Sequence, residues 1–142
     1  MNTYIFEIKL KDNRKIVRKI EILRYSSLYT LAEAIIDAFD FDFDHCFGFF
    51  SDTKSRNYFK SKKKYELFAD LDDIGIEPVD SESVEKNKIK DVFKKEGEEM
   101  LFLFDYGDNW EFIIKFESLG DKVNGKKYPR TIKSKGKAPS QY

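Results

Sequence analysis

Two short segments carry the side chains that could do chemistry in this 142-residue chain. His45, the single histidine, follows the acidic segment Asp40–Asp44 and could bind a divalent metal or act as a base held by a carboxylate. The spacing fits no standard zinc or calcium loop, because the calcium pattern requires a glycine at its sixth position and a late glutamate. A histidine that closes a helix-to-strand turn by hydrogen bonding is the simpler interpretation. Cys46 beside it is expected to be a buried structural thiol.

The second segment is the turn that begins at Asp105 and leads into Trp110, with the sequence Asp-Tyr-Gly-Asp-Asn-Trp. Asp105 and Asp108 could act as acid and base or as ligands for a cation, but aspartates in turns more often accept backbone N–H groups. Gly107 is expected to supply a positive φ angle, which glycine adopts without steric cost. Trp110 could stack on a base or a small ligand, although such a ring more often anchors a core.

A third candidate surface is basic. Residues 54–64 contain six basic side chains, no acid and two aromatic rings, a combination that can hold phosphates and stack bases. Residues 66–85 carry eight acids and no base and would repel DNA, and a solvated loop and tail remain the alternative. The candidates for nucleic-acid contact are Lys54, Arg56, Tyr58, Lys60, Lys62, Lys63, Lys64, Lys126, Lys127 and Arg130.

Composition narrows the class of protein. The 26 basic and 26 acidic residues cancel, so the chain has no general attraction to nucleic acid or anionic membranes. A single cysteine excludes an intramolecular disulfide. No stretch approaches the roughly 18 apolar residues of a membrane span, and the N-terminus lacks the pattern of a signal peptide. These features predict a cytoplasmic protein whose core is rich in phenylalanine.

The elements that must position these residues begin with a predicted hairpin. Thr3–Leu10 and Ile16–Leu23 alternate apolar and polar side chains on either side of a short polar turn, which is typical of two antiparallel strands. Apolar residues spaced by three and four predict an amphipathic helix over Leu28–Phe39. Ser26 and Ser27 are both suitable N-caps for it.

The middle of the chain is predicted to combine loops with short strands. Cys46–Ser51 is a compact apolar run and predicts a buried strand. Asp52–Lys64 predicts a loop, interrupted by a short strand at Tyr58–Phe59. Tyr65–Ala69 predicts another short strand, and the Gly and Pro of Asp70–Asp80 predict turns.

The last third predicts a second hairpin. Met100–Phe104 and Trp110–Glu117 flank the aspartate-rich turn. Residues 118–142 are rich in lysine, glycine and proline and are predicted to form an irregular basic tail. Residues 1–142 are therefore expected to form one α+β domain. It consists of an N-terminal β-hairpin followed by an amphipathic helix packed on a mixed, largely antiparallel sheet, with a second C-terminal hairpin.

The order of these segments resembles the plasmid pRiA4b ORF-3-like family over nearly the whole chain. The matching segments are Tyr4–Leu10, Ile16–Ile22, Leu28–Phe39, Asp42–Phe50, Leu103–Trp110 and Tyr128–Arg130. The resemblance implies an α+β fold. The motif residues of the family, carried over by position, are His45, Asp105, Gly107, Asp108 and Trp110. Members occur on plasmids and in mobile elements, and some are labelled resolvase-like, but the resemblance implies no accepted activity. Many members place cysteines after the tyrosine-proline element, and Thr131 and Ala138 stand near those positions here, so no cysteine-dependent role is expected.

Recombinase catalysis is not expected. It requires a Ser or Tyr nucleophile among several arginines that neutralise the phosphate. The chain has five arginines, and Arg14, Arg18 and Arg24 are expected to face solvent near the first hairpin.

The sequence favours a non-catalytic module that binds a protein or peptide partner through an exposed sheet edge or the face near the Asp105 turn. The candidate binding residues are His45, Asp105, Tyr106, Gly107, Asp108 and Trp110. The alternative is a nucleic-acid-binding accessory protein of a mobile element. A metal-dependent enzyme that uses His45 with Asp105 or Asp108 is the third hypothesis. No catalytic residue, metal or cofactor is predicted.

Overall fold

The computed structural model describes residues 1–71 and 80–142, which form an antiparallel sheet with a helix against one face. The strands are β1 (Thr3–Leu10), β2 (Val17–Leu23), β3 (Phe47–Phe50), β4 (Lys64–Glu66), β5 (Glu99–Phe104), β6 (Trp110–Gly120) and β7 (Arg130–Lys135). The helices are α1 (Leu28–Ala38) and α2 (Ile89–Val92), with 3₁₀ turns at Tyr58–Lys60 and Leu67–Asp70. The predicted α+β class is confirmed, whereas the turns predicted over Asp70–Asp80 lie largely outside the described residues.

The seven strands lie in the order β4-β3-β5-β6-β1-β2-β7. Both predicted hairpins are present, as β1–β2 and β5–β6, and they are joined by the pairing of β1 with β6. All neighbouring strands are antiparallel, and within the described ranges the parallel contact is an isolated bridge between Tyr65 and Glu82. The first strand of the chain therefore lies inside the sheet, and the last strand forms an edge.

Helix α1 covers one face of the sheet. It begins at Ser27, whose hydroxyl accepts the Thr30 N–H at 3.1 Å, as expected of an N-cap. Its buried side chains recur every three or four residues and pack on the alternating apolar side chains of β1. The buried residues of the helix are Leu28, Leu31, Ala32, Ile35 and Ile36. Burial of this stripe fixes the helix across the sheet, as the sequence predicts.

A second, smaller apolar cluster lies on the opposite face of the sheet. Phe50, Leu101, Leu103 and Ile113 form its base, and Tyr58 covers them, with its ring centroid 5.2 Å from that of Phe50. The segment around Tyr58 is therefore a 3₁₀ turn that closes a core, and the short strand predicted there is wrong. The Tyr58 ring is inclined at 53° to the ring of Phe50.

Part of the C-terminal segment is ordered into the sheet, so the irregular tail predicted over residues 118–142 is wrong at residues 118–120 and 130–135. Strand β6 continues to Gly120, and β7 pairs with β2. The sequence Arg-Thr-Ile-Lys-Ser-Lys of β7 shows no apolar alternation because its side chains are mostly exposed at the sheet edge. Beyond β7, Ala138 packs against the main core, and the Gln141 side chain bonds the Asp42 backbone at 2.7 and 3.1 Å.

Arg18 is buried, contrary to the expectation that it faces solvent. Its Nε donates to the carbonyl of Ala38 at 2.9 Å, and its Nη1 donates to the carbonyls of Lys135 and Gly136. The guanidinium also lies 5.0 Å from the ring centroid of Phe39. The last carbonyls of a helix lack partners within the helix. One arginine thus supplies donors to the end of α1 and to the end of β7.

Candidate functional site

Strand pairing brings the two motif segments together. Phe47 at the start of β3 pairs with Phe104 at the end of β5, and the Asp105 N–H donates to the Cys46 carbonyl at 2.9 Å. His45 therefore lies above Asp105, and its Nε2 is 3.4 Å from Asp105 Oδ2. The sequence identifies both residues, but only the register of β3 on β5 places them side by side.

His45 lies between two carboxylates. Its Nδ1 is 2.6 Å from Asp44 Oδ1, on the side opposite Asp105. The hydrogen bond to Asp44 raises the pKa of His45 above its ordinary value of 6.5, and the charges of Asp105, Asp44 and Asp108 raise it further. A protonated imidazole donates from both nitrogens and has no lone pair for a metal or a substrate proton. The geometry therefore favours a cationic clamp between the two segments.

The C-terminal segment completes this arrangement. The hydroxyl of Tyr142 donates to Asp44 Oδ2 at 2.5 Å, which lowers the pKa of Asp44 and raises that of Tyr142 to about 12. We refer to Asp44, His45, Asp105 and Tyr142 as the His45 cluster. Sequence reasoning missed Tyr142 because no motif marks it, and its role depends on how residues 136–142 fold back.

The Asp105 side chain also organises its own turn. Its Oδ1 accepts the N–H groups of Gly107 at 3.0 Å and Asp108 at 3.2 Å, the turn role that the sequence favours. The positive φ angles fall on Asp105 (68°) and Asn109 (54°), so the positive φ expected for Gly107 is wrong. Asp and Asn tolerate this conformation because their short polar side chains bond locally. Asp108 is exposed beside the turn.

Tyr106 and Trp110 lie apart from the His45 cluster. The Tyr106 hydroxyl donates to Oε2 of the buried Glu66 at 2.5 Å, and burial raises the pKa of Tyr106 far above its ordinary value. Trp110 packs with its ring centroid 4.8 Å from that of Phe41 and lines a cleft of about 190 Å³ beside Pro139. These contacts of Tyr106 and Trp110 are thus with residues outside the His45 cluster.

Groups of three or more His, Cys, Asp or Glu side chains that could hold a metal ion are absent from residues 1–71 and 80–142. Cys46 is half-buried, and burial raises the pKa of its thiol, which makes it a weak ligand at neutral pH. The described residues therefore assemble no donor set that fits a metal centre at the His45 cluster.

The basic candidates fall into three environments. Lys54, Arg56, Lys60, Lys62 and Lys63 are exposed on the loop that covers the second apolar cluster, and Lys126 and Lys127 are exposed between β6 and β7. Tyr58 is buried and cannot stack on a base. Lys64 lies 3.2 Å from Asp80, and Arg130 binds the buried carboxylate of Glu21 at 2.9 Å.

A further feature is the open edge of the sheet, which the sequence predicts in general terms but does not assign to β7. β7 pairs with β2 along one side, and no strand within the described ranges pairs with its other side. A cleft of about 430 Å³ lies between β7 and α1, lined on the helix side by Thr30, Glu33, Ala34 and Asp37. The sequence signal was weak, because β7 lacks the alternation that marks half-buried strands.

Comparison with known proteins places the chain in a family. A family model described as plasmid pRiA4b ORF-3-like protein matches residues 2–141. The chain belongs to the plasmid pRiA4b ORF-3-like family. The resemblance drawn from the hairpin, helix and Asp-Tyr-Gly-Asp-Asn-Trp segments is thus confirmed. The function of this family is unknown.

One solved structure shares the fold of this pRiA4b ORF-3-like chain. It is the crystal structure of MM3350, a protein of unknown function from Methanosarcina mazei Go1, with a TM-score of 0.75 and 22% identity. The match covers 97% of this chain and 71% of that chain. No curated protein matches the sequence. Within the described part of the chain, no helix has the length and apolar character needed to cross a membrane.

Proposed function

We propose that this protein is a non-catalytic peptide-binding module that takes an extended partner segment on the outer edge of β7. The observation that carries the proposal is that β7 leaves one side without a neighbouring strand in the described part of the chain. An edge strand offers a row of backbone N–H and C=O groups to which a further strand can pair. Affinity in this mode comes from main-chain hydrogen bonds, and specificity comes from alternate side chains.

The opposite edge of the sheet is less suited to this role. β4 has three residues, and the backbone of Glu82 already bonds it through Glu66 N–H at 3.1 Å and Lys64 O at 2.9 Å. An added strand would have to displace these bonds. β7 has six residues and is the longer and more accessible of the two edges.

β7 is also held firmly in place. Arg130 binds Glu21 through Nε at 3.2 Å and Nη2 at 2.9 Å, and the Thr3 hydroxyl donates to the other oxygen of Glu21 at 2.7 Å. Arg18 holds the far end of the strand through the carbonyls of Lys135 and Gly136. An edge that is already fixed loses less conformational entropy when a partner binds, which favours affinity.

The His45 cluster supports a non-catalytic assignment. Both ring nitrogens of His45 face carboxylates, and the raised pKa favours the cationic ring. A general base needs a neutral ring with a free nitrogen within reach of its substrate. The cluster instead joins the start of β3, the end of β5 and the C-terminal segment, which stabilises the scaffold that carries β7.

Hydrogen exchange tests the proposal. Short random peptides selected by display on the full-length protein should slow exchange of the amides of residues 131–135. In a regular strand, the N–H groups of adjacent residues point to opposite neighbours. Of the two variants K133P and S134P, one therefore removes an N–H that bonds β2, and the other removes an N–H that points to the open side of β7. The variant that loses the N–H on the open side should keep the melting temperature of the wild type but lose peptide binding. Protection confined to another segment, or unchanged binding in that variant, would show the proposal to be wrong.

A second candidate function is binding of nucleic acid by the exposed basic loop. Five exposed basic residues between Lys54 and Lys63 lie on the sheet face opposite α1. β7 adds Lys133 and Lys135, which share that face through their register with β2. These charges support phosphate contact, but Tyr58 is not available to stack on bases.

A further inference from the structure

The side chains of β7 alternate between two different environments. Lys133 of β7 lies opposite Lys19 of β2, and Lys19 lies opposite Glu7 of β1. Glu7 in turn lies opposite Lys115 of β6, so the four side chains lie on the same face of the sheet. Lys115 shares its face with Ile113 of the smaller cluster, so these side chains point away from α1. Lys135, two residues after Lys133, points the same way. The side of β7 that faces away from the helix is therefore basic.

The side of β7 that faces the helix is bounded by two acids of α1 and by Arg130, whose charge is already paired with Glu21. Thr131 and Ile20 line the cleft together with Glu33 and Asp37 of α1. Glu33 and Asp37 are four residues apart, lie on the same side of the helix and are exposed. A strand added beside β7 would extend the sheet under this helix surface, and its alternate side chains would meet the two carboxylates.

A second copy of this chain fits the edge poorly. If β7 paired antiparallel with another β7, the lysines on the outward face would lie near lysines of the other copy. Like charges opposite each other on neighbouring strands destabilise the pair. Edge lysines are also a common protection against self-association of sheets. The occupant is therefore expected to differ from β7 in charge.

From this arrangement, and resting on the proposed function, we infer that the partner is an extended peptide segment of alternating charge. Its side chains on the face away from α1 are acidic and pair with Lys133 and Lys135. At least one side chain on the other face is basic and enters the cleft beside Glu33 and Asp37. Backbone pairing supplies the hydrogen bonds, and these two opposite charge contacts set register and specificity.

Charge reversal tests the inference separately from the proposed function. Peptides selected on the wild-type protein should alternate acidic with basic or apolar residues. K133E/K135E and E33K/D37K should each weaken their binding by about tenfold. The control K126E/K127E makes the same charge change as K133E/K135E at two exposed lysines outside β7, in the connection from β6, and should leave binding within about twofold. Melting temperatures of all three variants verify that the fold is retained.

Three outcomes contradict the inference, and they differ in what else they overturn. If peptides protect residues 131–135 from exchange but both charge reversals leave affinity unchanged, the charge pattern is wrong and strand addition stands. If selected peptides protect no part of β7, both ideas fail. If the protein dimerises through β7 in solution, a second copy occupies the edge and the inference of a charged peptide partner is overturned.

Discussion

The imidazole of His45 and the carboxylate of Asp105 lie 3.4 Å apart, from Nε2 to Oδ2, although they belong to distant parts of the chain. Asp105 also accepts two N–H groups of its own turn through its other oxygen. One carboxylate therefore fixes the turn and contacts the segment before β3. Asp44 binds the other side of the ring and also accepts the Tyr142 hydroxyl, so the His45 cluster as a whole connects three segments.

This arrangement predicts the pKa of His45. NMR titration of the wild-type protein should give a value above 6.5, because Asp44 and Asp105 stabilise the cation. D44N should lower it most, since the hydrogen bond to Asp44 is the largest cause, and D105N should lower it less. D121N changes an exposed carboxylate elsewhere and serves as the control. An unchanged pKa in D44N would contradict the clamp.

The same pKa predicts how stability depends on pH. A group whose pKa is raised by folding stabilises the protein below its unfolded value, and the stabilisation is lost as pH rises through the folded value. The difference in unfolding free energy between wild type and H45Q should therefore be largest below about pH 6.5 and shrink above the folded pKa. Chemical denaturation at several pH values measures it. A difference that grows with pH would contradict the assignment.

Tyr106 is predicted to contribute to stability through Glu66. Y106F removes the hydroxyl that donates to the buried Glu66 carboxylate, and the loss of a buried hydrogen bond to a charged group costs about 1–3 kcal/mol. Urea denaturation measures the change in unfolding free energy. Y25F removes a hydroxyl from a ring that is 59% exposed and should have little effect. Equal stability of the two variants would show that the Tyr106–Glu66 bond is not formed.

Arg130 is predicted to hold β7 on the sheet. R130M leaves the Glu21 carboxylate, which is 5% exposed, with the Thr3 hydroxyl as its one remaining side-chain partner among residues 1–71 and 80–142. Because the Arg130 side chain is one-third exposed, we expect a loss of about 1–3 kcal/mol, less than for a fully buried ion pair. K127M, at an exposed lysine, is the matched control. Exchange of the β7 amides should accelerate in R130M alone.

The nucleic-acid alternative predicts salt-dependent binding through the loop. Gel shifts with duplex and single-stranded DNA should weaken in K60Q/K62Q/K63Q and in high salt. Y58F should bind as wild type does, because the Tyr58 ring is buried over Phe50 and does not contact bases. K126Q/K127Q measures how much the exposed lysines between β6 and β7 contribute to DNA binding, for comparison with the loop substitutions. Binding that is unaffected by the triple substitution would exclude the loop as the contact surface.

The spacing of apolar residues in the sequence was enough to predict the strands and the helix that bury one side. In β1, the apolar residues Tyr4, Phe6, Ile8 and Leu10 face the core, and α1 buries the stripe that its spacing predicts. β7 could not be found in this way, because an exposed edge strand imposes no apolar period on its side chains. Its position depends on Glu21 and Arg18, which lie far away in the sequence.

The candidate site was predictable in its parts but not in its assembly. The residue types and turn geometry pointed to His45 and Asp105, and the bonds from Gly107 and Asp108 to Asp105 follow from turn chemistry. Their proximity depends on the register of Phe47 against Phe104, which no local rule supplies. The burial of Tyr58 likewise depends on a loop folding over the far side of the sheet.

The interior position of β1 has a consequence for folding during synthesis. β1 pairs with β2 at once through a short connection, but its other neighbour, β6, ends at Gly120. The pairing of β1 with β6 can therefore form only after residues 112–120 have left the ribosome, and such long-range closure slows folding. Until β6 and β7 have been synthesised, both outer sides of the first hairpin lack the strands with which they pair.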